Sequence, residues 1–322
     1  MITESEIVIV GAGPAGAACA WKLTREGKSV LLLDKQPFPR LKLCAGWITP
    51  NVFKDLEVIP EDYPHGIRKF RKLNFHCKGF GLPVPTRQYA IRRLEFDNWL
   101  VNRSGARFIQ HEVKEIKKED GGFVIDDSFR CRFLVGAGGT GCKVYQTFFK
   151  NLNPRAVESR ITALEEEFRF EYHDRRCHLW YFDNGLPGYS WYVPKENGFL
   201  NIGIGAKLEG LKKRGETIRQ HWNYFTDKLQ KLDLVNGHAF SPKGYNYFLR
   251  QEVQTVQSEQ AYIVGDAAGL ATVDMGEGIG PAIRSGILAA ESILTQKPYL
   301  LDSIGRFSFV NILFPWLKSK KI

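Results

Sequence analysis

The sequence lacks the cysteine and histidine patterns that hold disulfides or metal ions. Its 322 residues include six cysteines, at positions 19, 44, 77, 131, 142 and 177, and no two of them form a CxxC pair. The seven histidines have no spacing typical of metal ligands. We therefore expect reduced thiols and no bound metal.

Long apolar runs and targeting signals are also missing. No stretch approaches the roughly 20 apolar residues of a membrane span. No basic-then-apolar leader precedes the apolar run IVIV at 7–10, so we expect a cytoplasmic protein. Zinc-finger spacing, RNA-recognition aromatics and a heptad-backed basic region are absent as well, which argues against nucleic acid as a partner.

Acidic residues are outnumbered by basic ones. Lysine and arginine total 45 against 35 aspartate and glutamate, which gives a net charge of +10, and basic residues cluster in IRKFRK at 67–72 and KSKK at 318–321. Net charge bears on association rather than on fold. A solvated basic surface and a contact with an anionic membrane face both remain open.

The strongest chemical signal is a glycine-rich unit near residue 11. The apolar run at 7–10 leads into GAGPAG, a helix of small residues follows, and a second apolar run at 29–33 ends at an acid. In such a unit the first glycine permits a tight turn, the second admits a pyrophosphate, the third brings helix close to strand, and the acid binds ribose hydroxyls. The unit predicts a dinucleotide site, with FAD and NAD both open. Its predicted contacts are Gly11, Gly13, Pro14, Ala15, Gly16 and Asp34.

A second strand–loop–helix pattern lies far downstream. Residues 261–264 predict a strand that leads into Gly265 and Asp266, and a helix with small residues begins near Gly278. Asp266 is well placed to bind a polyol hydroxyl. The backbone of Gly278 and Ile279, at a helix N-terminus, is suited to face a developing negative charge. The alternative is an ordinary structural unit.

A third glycine-rich segment, FLVGAGGTGCKVY at 133–145, has the dinucleotide spacing at Gly136, Gly138 and Gly141. No long helix of small residues and no second strand ending in an acid follow it. We therefore do not predict a second nucleotide site there.

Two aromatic residues stand two positions apart in GYSWYVPKENG at 188–198. In an extended strand Tyr189 and Trp191 share one face, and Asn197-Gly198 is a strong hairpin-turn signal. Ordinary sheet core is one interpretation of the pair, and a binding surface is another.

The two strand–loop–helix motifs together resemble the FAD-dependent oxidoreductases of the p-hydroxybenzoate hydroxylase-like fold. In that fold, GxGxxG and GD motifs from opposite ends of the chain hold one FAD. The resemblance implies FAD as cofactor, with Asp266 on the ribityl chain. It also implies that the backbone of Gly278 and Ile279 lies beside the isoalloxazine and stabilises its reduced anion.

The segment YAIRRLEFDNWL at 89–100 is similar to the IxRxxFDxxL helix start of the same fold. The similarity implies that Arg93 lies near the cofactor phosphates. A surface ion pair between Arg93 and Asp97 at helical spacing is the alternative. The strand before Gly138 usually ends GADG in this fold, and here Gly138 replaces that Asp, which leaves the contact in doubt.

Two further motifs resemble the geranylgeranyl reductase family. PFPRLKLCAGWITP at 37–50 is similar to its FPRxKxCGG-type loop, and YSWYVP at 189–194 is similar to its YxWxFP motif. The resemblance implies that Tyr189 and Trp191 line a cavity in front of the flavin and face a long apolar substrate. The loop adds further residues to the predicted cofactor site: Lys35, Arg40, Cys44 and Ala45.

Cys44 lies on the loop that the resemblance places beside the isoalloxazine. We predict it as proton donor or as a substrate-positioning group. An inert loop thiol and a proton from solvent are the alternatives.

The expected fold class is α/β, and α+β overall, with a Rossmann-like FAD-binding domain and an inserted, mostly antiparallel sheet that binds substrate. The alternation in FLNIGIGAKL at 199–208 favours such a sheet. The expected FAD-binding domain comprises 1–68, 90–153 and 251–294. The expected substrate domain comprises 69–89 and 154–250, and 295–322 is expected to form a short C-terminal helical tail.

The resemblance implies an FAD-dependent oxidoreductase that saturates carbon–carbon double bonds of a polyprenyl lipid, or of a related apolar substrate. Its electron donor would be NAD(P)H or a ferredoxin-like protein. A flavin-dependent monooxygenase or halogenase, and a non-catalytic FAD- and lipid-binding flavoprotein, remain alternatives.

An isoprenoid starts in a bilayer, so we expect peripheral contact with the inner face of the membrane. Apolar residues near the C-terminal end, followed by lysines, are one candidate contact, and a final helix packed on the body is the alternative. The candidate residues are Phe309, Leu313, Phe314 and Trp316.

Overall fold

A computed structural model describes residues 2–253 and 255–309. Sixteen strands lie within these ranges: β1 (Thr3–Val10), β2 (Val30–Asp34), β3 (Trp47–Ile48), β4 (Arg68–Cys77), β5 (Phe80–Ala90), β6 (Arg107–Gln110), β7 (Ile116–Glu119), β8 (Gly122–Ile125), β9 (Phe129–Gly136), β10 (Arg160–Arg169), β11 (Cys177–Tyr181), β12 (Gly188–Pro194), β13 (Phe199–Lys207), β14 (Lys243–Phe248), β15 (Gln257–Ser258) and β16 (Ala261–Ile263). Six α-helices lie there too: α1 (Pro14–Arg25), α2 (Pro50–Asp55), α3 (Arg93–Arg103), α4 (Leu208–Lys213), α5 (Ile218–Lys231) and α6 (Ile279–Thr295).

The first sheet has the strand order β15-β16-β9-β1-β2-β6, with the β7–β8 hairpin attached through β8 to β9. β1 is parallel to both β2 and β9, and its last four residues are buried. A near-continuous apolar run of this kind is typical of a parallel strand covered on both faces. Helices α1 and α6 pack against each other beside this sheet. The carboxyl ends of β1, β9 and β16 therefore lie at one edge.

The second sheet has the order β14-β10-β13-β12-β11-β4-β5-β3. Its neighbours are antiparallel except β4 and β11, which are parallel. Alternation along β12 divides its side chains between two faces. Tyr192 belongs to the apolar cluster that includes Trp222 and Phe225 of α5. Trp191 and Val193 belong to a different cluster on the opposite face.

The predicted α/β fold class, with a Rossmann-like unit and a second sheet, is confirmed. The division into domains at the residues given above stays a prediction. The basic run at 67–72 leads into β4, whereas the run at 318–321 and the candidate contacts at 313, 314 and 316 lie outside the described residues. Within the described ranges, none of the helices is both long and apolar enough to cross a bilayer.

Candidate functional site

A cavity of about 840 Å³ lies between the carboxyl edge of the first sheet and one face of the second. Open α/β sheets bind ligands at this edge because the strand ends and the helix N-termini that follow them meet there. Volumes of this size hold cofactors and drug-sized ligands. Both the glycine-rich unit and the aromatic pair of β12 line the cavity.

One end of the cavity is formed by the turn between β1 and α1. A Cβ on Gly16 would lie 1.9 Å from the carbonyl oxygen of Gly11, so only glycine lets the helix begin this close to the strand. Asp34 accepts hydrogen bonds from the backbone N–H of Ala12 at 2.9 Å and of Gln36 at 3.0 Å. These bonds fix the carboxylate at the cavity wall. A carboxylate has further acceptor sites, which suit ribose hydroxyls.

Two arginines and one buried carboxylate form the next part of the wall. Arg93 donates from Nε and Nη2 to Asp97, each at 2.7 Å, so the ion pair considered as the alternative role of Arg93 is present, but it is buried and not at the surface. Arg40 Nη2 lies 3.6 Å from the same carboxylate. Arg40 Nε is buried and has no partner among the described residues. A Cβ on Gly13 would lie 3.5 Å from Arg40 Nη2, so the missing side chain leaves a cradle under a cation.

This cradle fits a pyrophosphate. An unpartnered buried N–H is costly, and a phosphate oxygen supplies the acceptor that it lacks. The N-terminus of α1 adds unpaired backbone donors on the same side. The donor set thus fits the phosphates of a dinucleotide better than it fits a neutral ligand.

The N-terminus of α6 forms the middle of the cavity. Gly278 and Ile279 line it, and Asp266 Oδ1 lies 3.4 Å from where a Cβ on Gly278 would be. Arg155 joins the two neighbouring loops, since its guanidinium donates to the carbonyls of Thr140 and Asp266 at 2.6 and 3.2 Å. The glycine-rich segment that includes Thr140 also lines this cavity.

The Cys44 loop crosses the cavity opposite α6. The backbone N–H of Cys44 donates to Oε1 of Glu165 on β10, and the side-chain amide of Asn201 on β13 donates to the Cys44 carbonyl at 3.4 Å. The N–H of Gly46 contacts the Cys44 sulfur, also at 3.4 Å. Side chains of the second sheet therefore bind both the N–H and the carbonyl of Cys44 and fix the loop.

Trp191 connects the aromatic motif to that loop. Its indole N–H donates to Oδ1 of Asn201 at 2.7 Å. Its ring lies over Gly203, where a Cβ would come within 2.1 Å of the ring carbon Cζ2. Trp191 is buried and belongs to an apolar cluster, yet it also lines the cavity. Trp191 is therefore both a core residue of the sheet and part of the cavity wall.

Tyr189 connects the motif to the opposite loop. Its hydroxyl donates to the carbonyl of Met275 at 2.6 Å, three residues before Gly278. Its ring centroid lies 5.8 Å from that of Trp191 and 5.1 Å from that of Tyr181. The pair thus forms an aromatic wall whose polar atoms hold the loops on both sides of the cavity.

Two carboxyl groups near the cavity, one buried and one half-buried, were not predicted from the sequence. Burial raises the pKa of Glu165 from 4.5 to about 7, against the lowering effect of Lys195 and of the Cys44 N–H. Its Oε2 lies 3.5 Å from the hydroxyl of Tyr245. Burial likewise raises the pKa of Glu277 to about 7. Both groups therefore hold a proton for part of the time at neutral pH.

Three further residues of the site were not predicted from the sequence: Asn201, Tyr245 and Tyr247. The two tyrosines stack at 5.9 Å and line the cavity. Their spacing in GYNYF at 244–248 repeats that of Tyr189 and Trp191, so the same alternation could have identified them. Nothing local marks Asn201.

Most of the predicted site residues are brought together. The following line the cavity: Gly11, Gly13, Pro14, Ala15, Asp34, Lys35, Arg40, Cys44, Ala45, Arg93, Tyr189, Trp191, Asp266, Gly278 and Ile279. Gly16 and Gly265 do not. Gly16 lies against the turn at Gly11, and a Cβ on Gly265 would contact Ala15 at 3.1 Å, so both positions serve close packing behind the cavity.

Comparison with known proteins adds sequence relatives. A family model described as an NAD(P)-binding Rossmann-like domain matches residues 9–74. An uncharacterized protein of Methanosarcina barkeri is 32% identical, over 89% of this chain and 74% of the relative. A menaquinone reductase of Mycolicibacterium smegmatis is 28% identical, over 90% of this chain and 76% of its own length. A digeranylgeranylglycerophospholipid reductase of Methanosphaera stadtmanae is 24% identical, over 89% and 74%.

Solved structures share the fold. A geranylgeranyl bacteriochlorophyll reductase-like protein of Thermoplasma acidophilum superimposes with a TM-score of 0.78 and 19% identity, over 92% of this chain and 80% of that chain. A flavin-dependent brominase does so with a TM-score of 0.74 and 18% identity, over 91% and 79%.

Proposed function

Because the chain belongs to the geranylgeranyl reductase family of FAD-dependent oxidoreductases, we propose that it binds FAD and saturates carbon–carbon double bonds of a polyprenyl lipid. One observation carries the proposal. A single cavity joins the cradle at Gly13 and Arg40 to the aromatic wall at Tyr189 and Trp191. A cofactor held at the first end would place its ring system before the second.

The residues that would hold the cofactor follow the cavity wall. Asp34 would accept from the adenosine ribose, and Arg40 with the N-terminus of α1 would bind the pyrophosphate. Asp266 would bind the ribityl hydroxyls. The N-terminus of α6 at Gly278 and Ile279 would stabilise negative charge on the reduced ring system. When bound and reduced, the cofactor supplies the hydride.

The protein has to supply a proton to the second carbon of the double bond. We propose that Tyr245 delivers it from its hydroxyl, which contacts Glu165, and that Glu165 then reprotonates Tyr245. A carboxyl group with a pKa of about 7 is well matched to this exchange at neutral pH. Cys44, held between Glu165 and Asn201, would position the substrate or serve as the proton donor itself.

The proposed substrate class rests on the wall chemistry and on the relatives. A polyprenyl chain offers few hydrogen-bonding groups, so binding depends on apolar contact with rigid side chains. Tyr189 and Trp191 use their polar atoms inside the protein and present ring surface to the cavity. Two relatives are named as reductases of lipids, a menaquinone and a digeranylgeranylglycerophospholipid, which supports a lipid of this kind.

The brominase-like fold supports a flavin-dependent monooxygenase or halogenase as a second candidate. The two classes differ in what oxidises the reduced flavin, namely the lipid or oxygen. We further propose that the enzyme works in the cytoplasm at a membrane surface and takes electrons from NAD(P)H or a ferredoxin-like protein.

Anaerobic incubation tests the proposal. Photoreduced holoprotein is mixed with a geranylgeranyl lipid or with menaquinone, each dispersed in detergent, and products are analysed by mass spectrometry. We expect product lipids that carry two more hydrogens than the substrate for each double bond saturated. Unchanged lipids, together with an oxygenated or halogenated product in air, would support the second candidate.

A further inference from the structure

The cavity face of β5 changes from buried to exposed along alternate residues. Ala90 is 0%, Gln88 1% and Thr86 5% exposed, whereas Leu82 is 65% and Phe80 83% exposed. Alternate residues of a strand lie on one face, so Phe80 and Leu82 belong to one stripe. Thr86, Gln88 and Ala90 continue it beyond an irregularity in the β4–β5 pairing between Phe70 and Lys72, and Gln88 lines the cavity. The stripe begins at the protein interior and ends in two apolar side chains in solvent.

Strand pairing connects this stripe to the aromatic wall. Leu82 pairs with Phe75 on β4, Phe75 pairs with Leu179 on β11, and Leu179 pairs with Trp191 on β12. Directly paired residues lie on the same face of a sheet. Leu82 is therefore on the face that carries Trp191, and a row of apolar residues joins the two.

The neighbouring row leads to the same place. Phe80 pairs with Cys77, Cys77 with Tyr181, and Tyr181 with Tyr189. The ring of Phe75 stacks on Tyr181 at 5.8 Å, and Tyr181 stacks on Tyr189 at 5.1 Å. Stacked rings thus lead from the cavity to Phe75 on β4 of the hairpin, and Phe309 packs against both Phe75 and Tyr181.

Phe182 marks the mouth of the cavity. It lines the cavity and is nevertheless 59% exposed. Its φ of 55° lies in the left-handed region, which is uncommon for a bulky residue and indicates a conformation that the surrounding structure imposes. Its ring lies 6.2 Å from that of Tyr181. An exposed aromatic is therefore held where the cavity meets solvent.

The hairpin is basic throughout. Residues 68–90 contain six lysines and arginines and no acidic residue. Two of the six have acidic partners, Arg68 with Glu196 and Lys69 with Glu61. Four exposed side chains have no ion pair within the described part of the chain: Arg71, Lys72, Lys78 and Arg87. Their charge is free to act on an anionic surface.

We propose that the apolar edge, formed by Phe80, Leu82 and Phe182, inserts into an anionic lipid bilayer, so that the mouth of the cavity faces the bilayer. The proposal rests on the proposed function, because it assigns the surface through which a lipid substrate would reach the cavity. Apolar side chains flanked by unpaired basic residues have the composition that binds bilayers of negative charge.

Charge and strand chemistry argue against other occupants. A second copy of this edge would bring like charges together. Addition of a partner strand to β5 requires a row of backbone N–H donors, and Pro83 and Pro85 interrupt that row. Binding to an anionic bilayer meets neither obstacle, because it requires neither an oppositely charged protein surface nor free backbone N–H donors.

Vesicle co-sedimentation of the holoprotein tests the assignment. We expect binding to phosphatidylcholine vesicles that contain phosphatidylglycerol, and weaker binding to neutral vesicles and at high salt. The double variant F80S/L82S should lower the partition coefficient about tenfold or more. The double variant K72Q/K78Q should lower it about fivefold for each charge removed.

Control variants remove exposed side chains of the same kinds elsewhere. V157S/L232S removes apolar side chains that are 60% and 50% exposed, and K150Q/K212Q removes two exposed lysines. Both controls should bind as wild type does. If F80S/L82S binds vesicles as the wild type does, the proposal is wrong, also when residues 310–322 bind the vesicle instead. The proposal is equally wrong if the wild-type protein binds no vesicles. It is wrong too if the wild type is a dimer and F80S/L82S is a monomer.

Turnover of detergent-dispersed lipid separates this proposal from the proposed function. F80S/L82S should keep flavin and detergent turnover while losing turnover of lipid in vesicles. If the protein binds vesicles but turns over no lipid, the proposed function is contradicted and the assignment of the membrane-binding surface stands. If it turns over detergent-dispersed lipid but does not bind vesicles, the surface assignment is contradicted and the proposed function stands.

Discussion

The indole N–H of Trp191 donates to Oδ1 of Asn201 at 2.7 Å, and the amide of Asn201 reaches the carbonyl of Cys44. One side chain of the aromatic motif thereby positions the loop proposed to lie beside the flavin. Removing the indole should therefore alter both the stability of the sheet and the geometry of the reacting centre.

Replacing Trp191 with Phe keeps an aromatic ring at the site, reduces its volume and removes the hydrogen bond. Oδ1 of Asn201 would remain buried without its donor, which should lower the free energy of unfolding by about 1–3 kcal/mol. Lipid-dependent reoxidation of the flavin should slow, while flavin content stays near wild type. Urea unfolding and stopped-flow spectroscopy measure these effects.

The control is W222F, at a buried tryptophan on the opposite side of the sheet. It should lower stability without slowing reoxidation. If W191F is destabilised but reoxidises normally, Trp191 has a packing role only.

Replacing Gly13 with Val should abolish cofactor binding. The missing side chain leaves the space under Arg40, and the branched side chain of valine would fill it. The purified variant should be colourless, whereas G305V, at an exposed glycine that does not line the cavity, should stay yellow. Undiminished flavin in folded G13V would refute the placement of the pyrophosphate.

The unfolding free energy should depend on pH through Glu165. Burial raises its folded pKa from 4.5 to about 7, so the folded state binds more protons than the unfolded state between these values. The stabilisation is complete below pH 4.5 and is lost as pH rises to about 7, at about 1.4 kcal/mol for each unit. E165Q, whose oxygen can still accept from Cys44, should remove this component.

The measurement compares E165Q with wild type at each pH, because other groups titrate in the same range. Lys195, Lys42 and Glu167 face Glu165, and each remains in the variant. Burial lowers the pKa of His76 to about 4, which makes stability rise with pH over the same interval. A constant difference between variant and wild type from pH 4.5 to 7 would contradict the raised pKa.

Replacing Tyr245 with Phe tests the proposed route of the proton. The variant keeps the ring and loses the hydroxyl beside Glu165, so reoxidation by lipid should slow by about 100-fold or more, within the usual range for general acid catalysis. Flavin content should not change. Y247F is the matched control and should react at nearly the wild-type rate. Equal rates in Y245F and wild type would indicate that Cys44 or solvent supplies the proton.

The glycine-rich unit and the aromatic motif could be predicted from the sequence because each depends on neighbouring residues. The turn at Gly11, the helix at Pro14 and the acid at Asp34 belong to one continuous segment. Tyr189 and Trp191 share a face because of strand alternation alone. Local patterns of this kind are sufficient for the fold class.

The contacts around Cys44 could not be predicted in this way. Glu165 and Asn201 lie 121 and 157 residues further along the chain. They meet Cys44 only because β10 and β13 pair within the second sheet. No local pattern marks an acid or an amide that acquires its role by tertiary packing, and its raised pKa follows from burial, which spacing does not reveal.

Anaerobic single-turnover reoxidation tests whether a polyprenyl lipid is the electron acceptor of the reduced flavin. Holoprotein carrying reduced flavin is mixed without oxygen with a detergent-dispersed polyprenyl lipid, and flavin absorbance and lipid mass are followed together. We expect that the lipid reoxidises the flavin and gains two hydrogens per double bond. Flavin that stays reduced with every lipid tried, and reoxidises only when oxygen enters, would contradict this expectation.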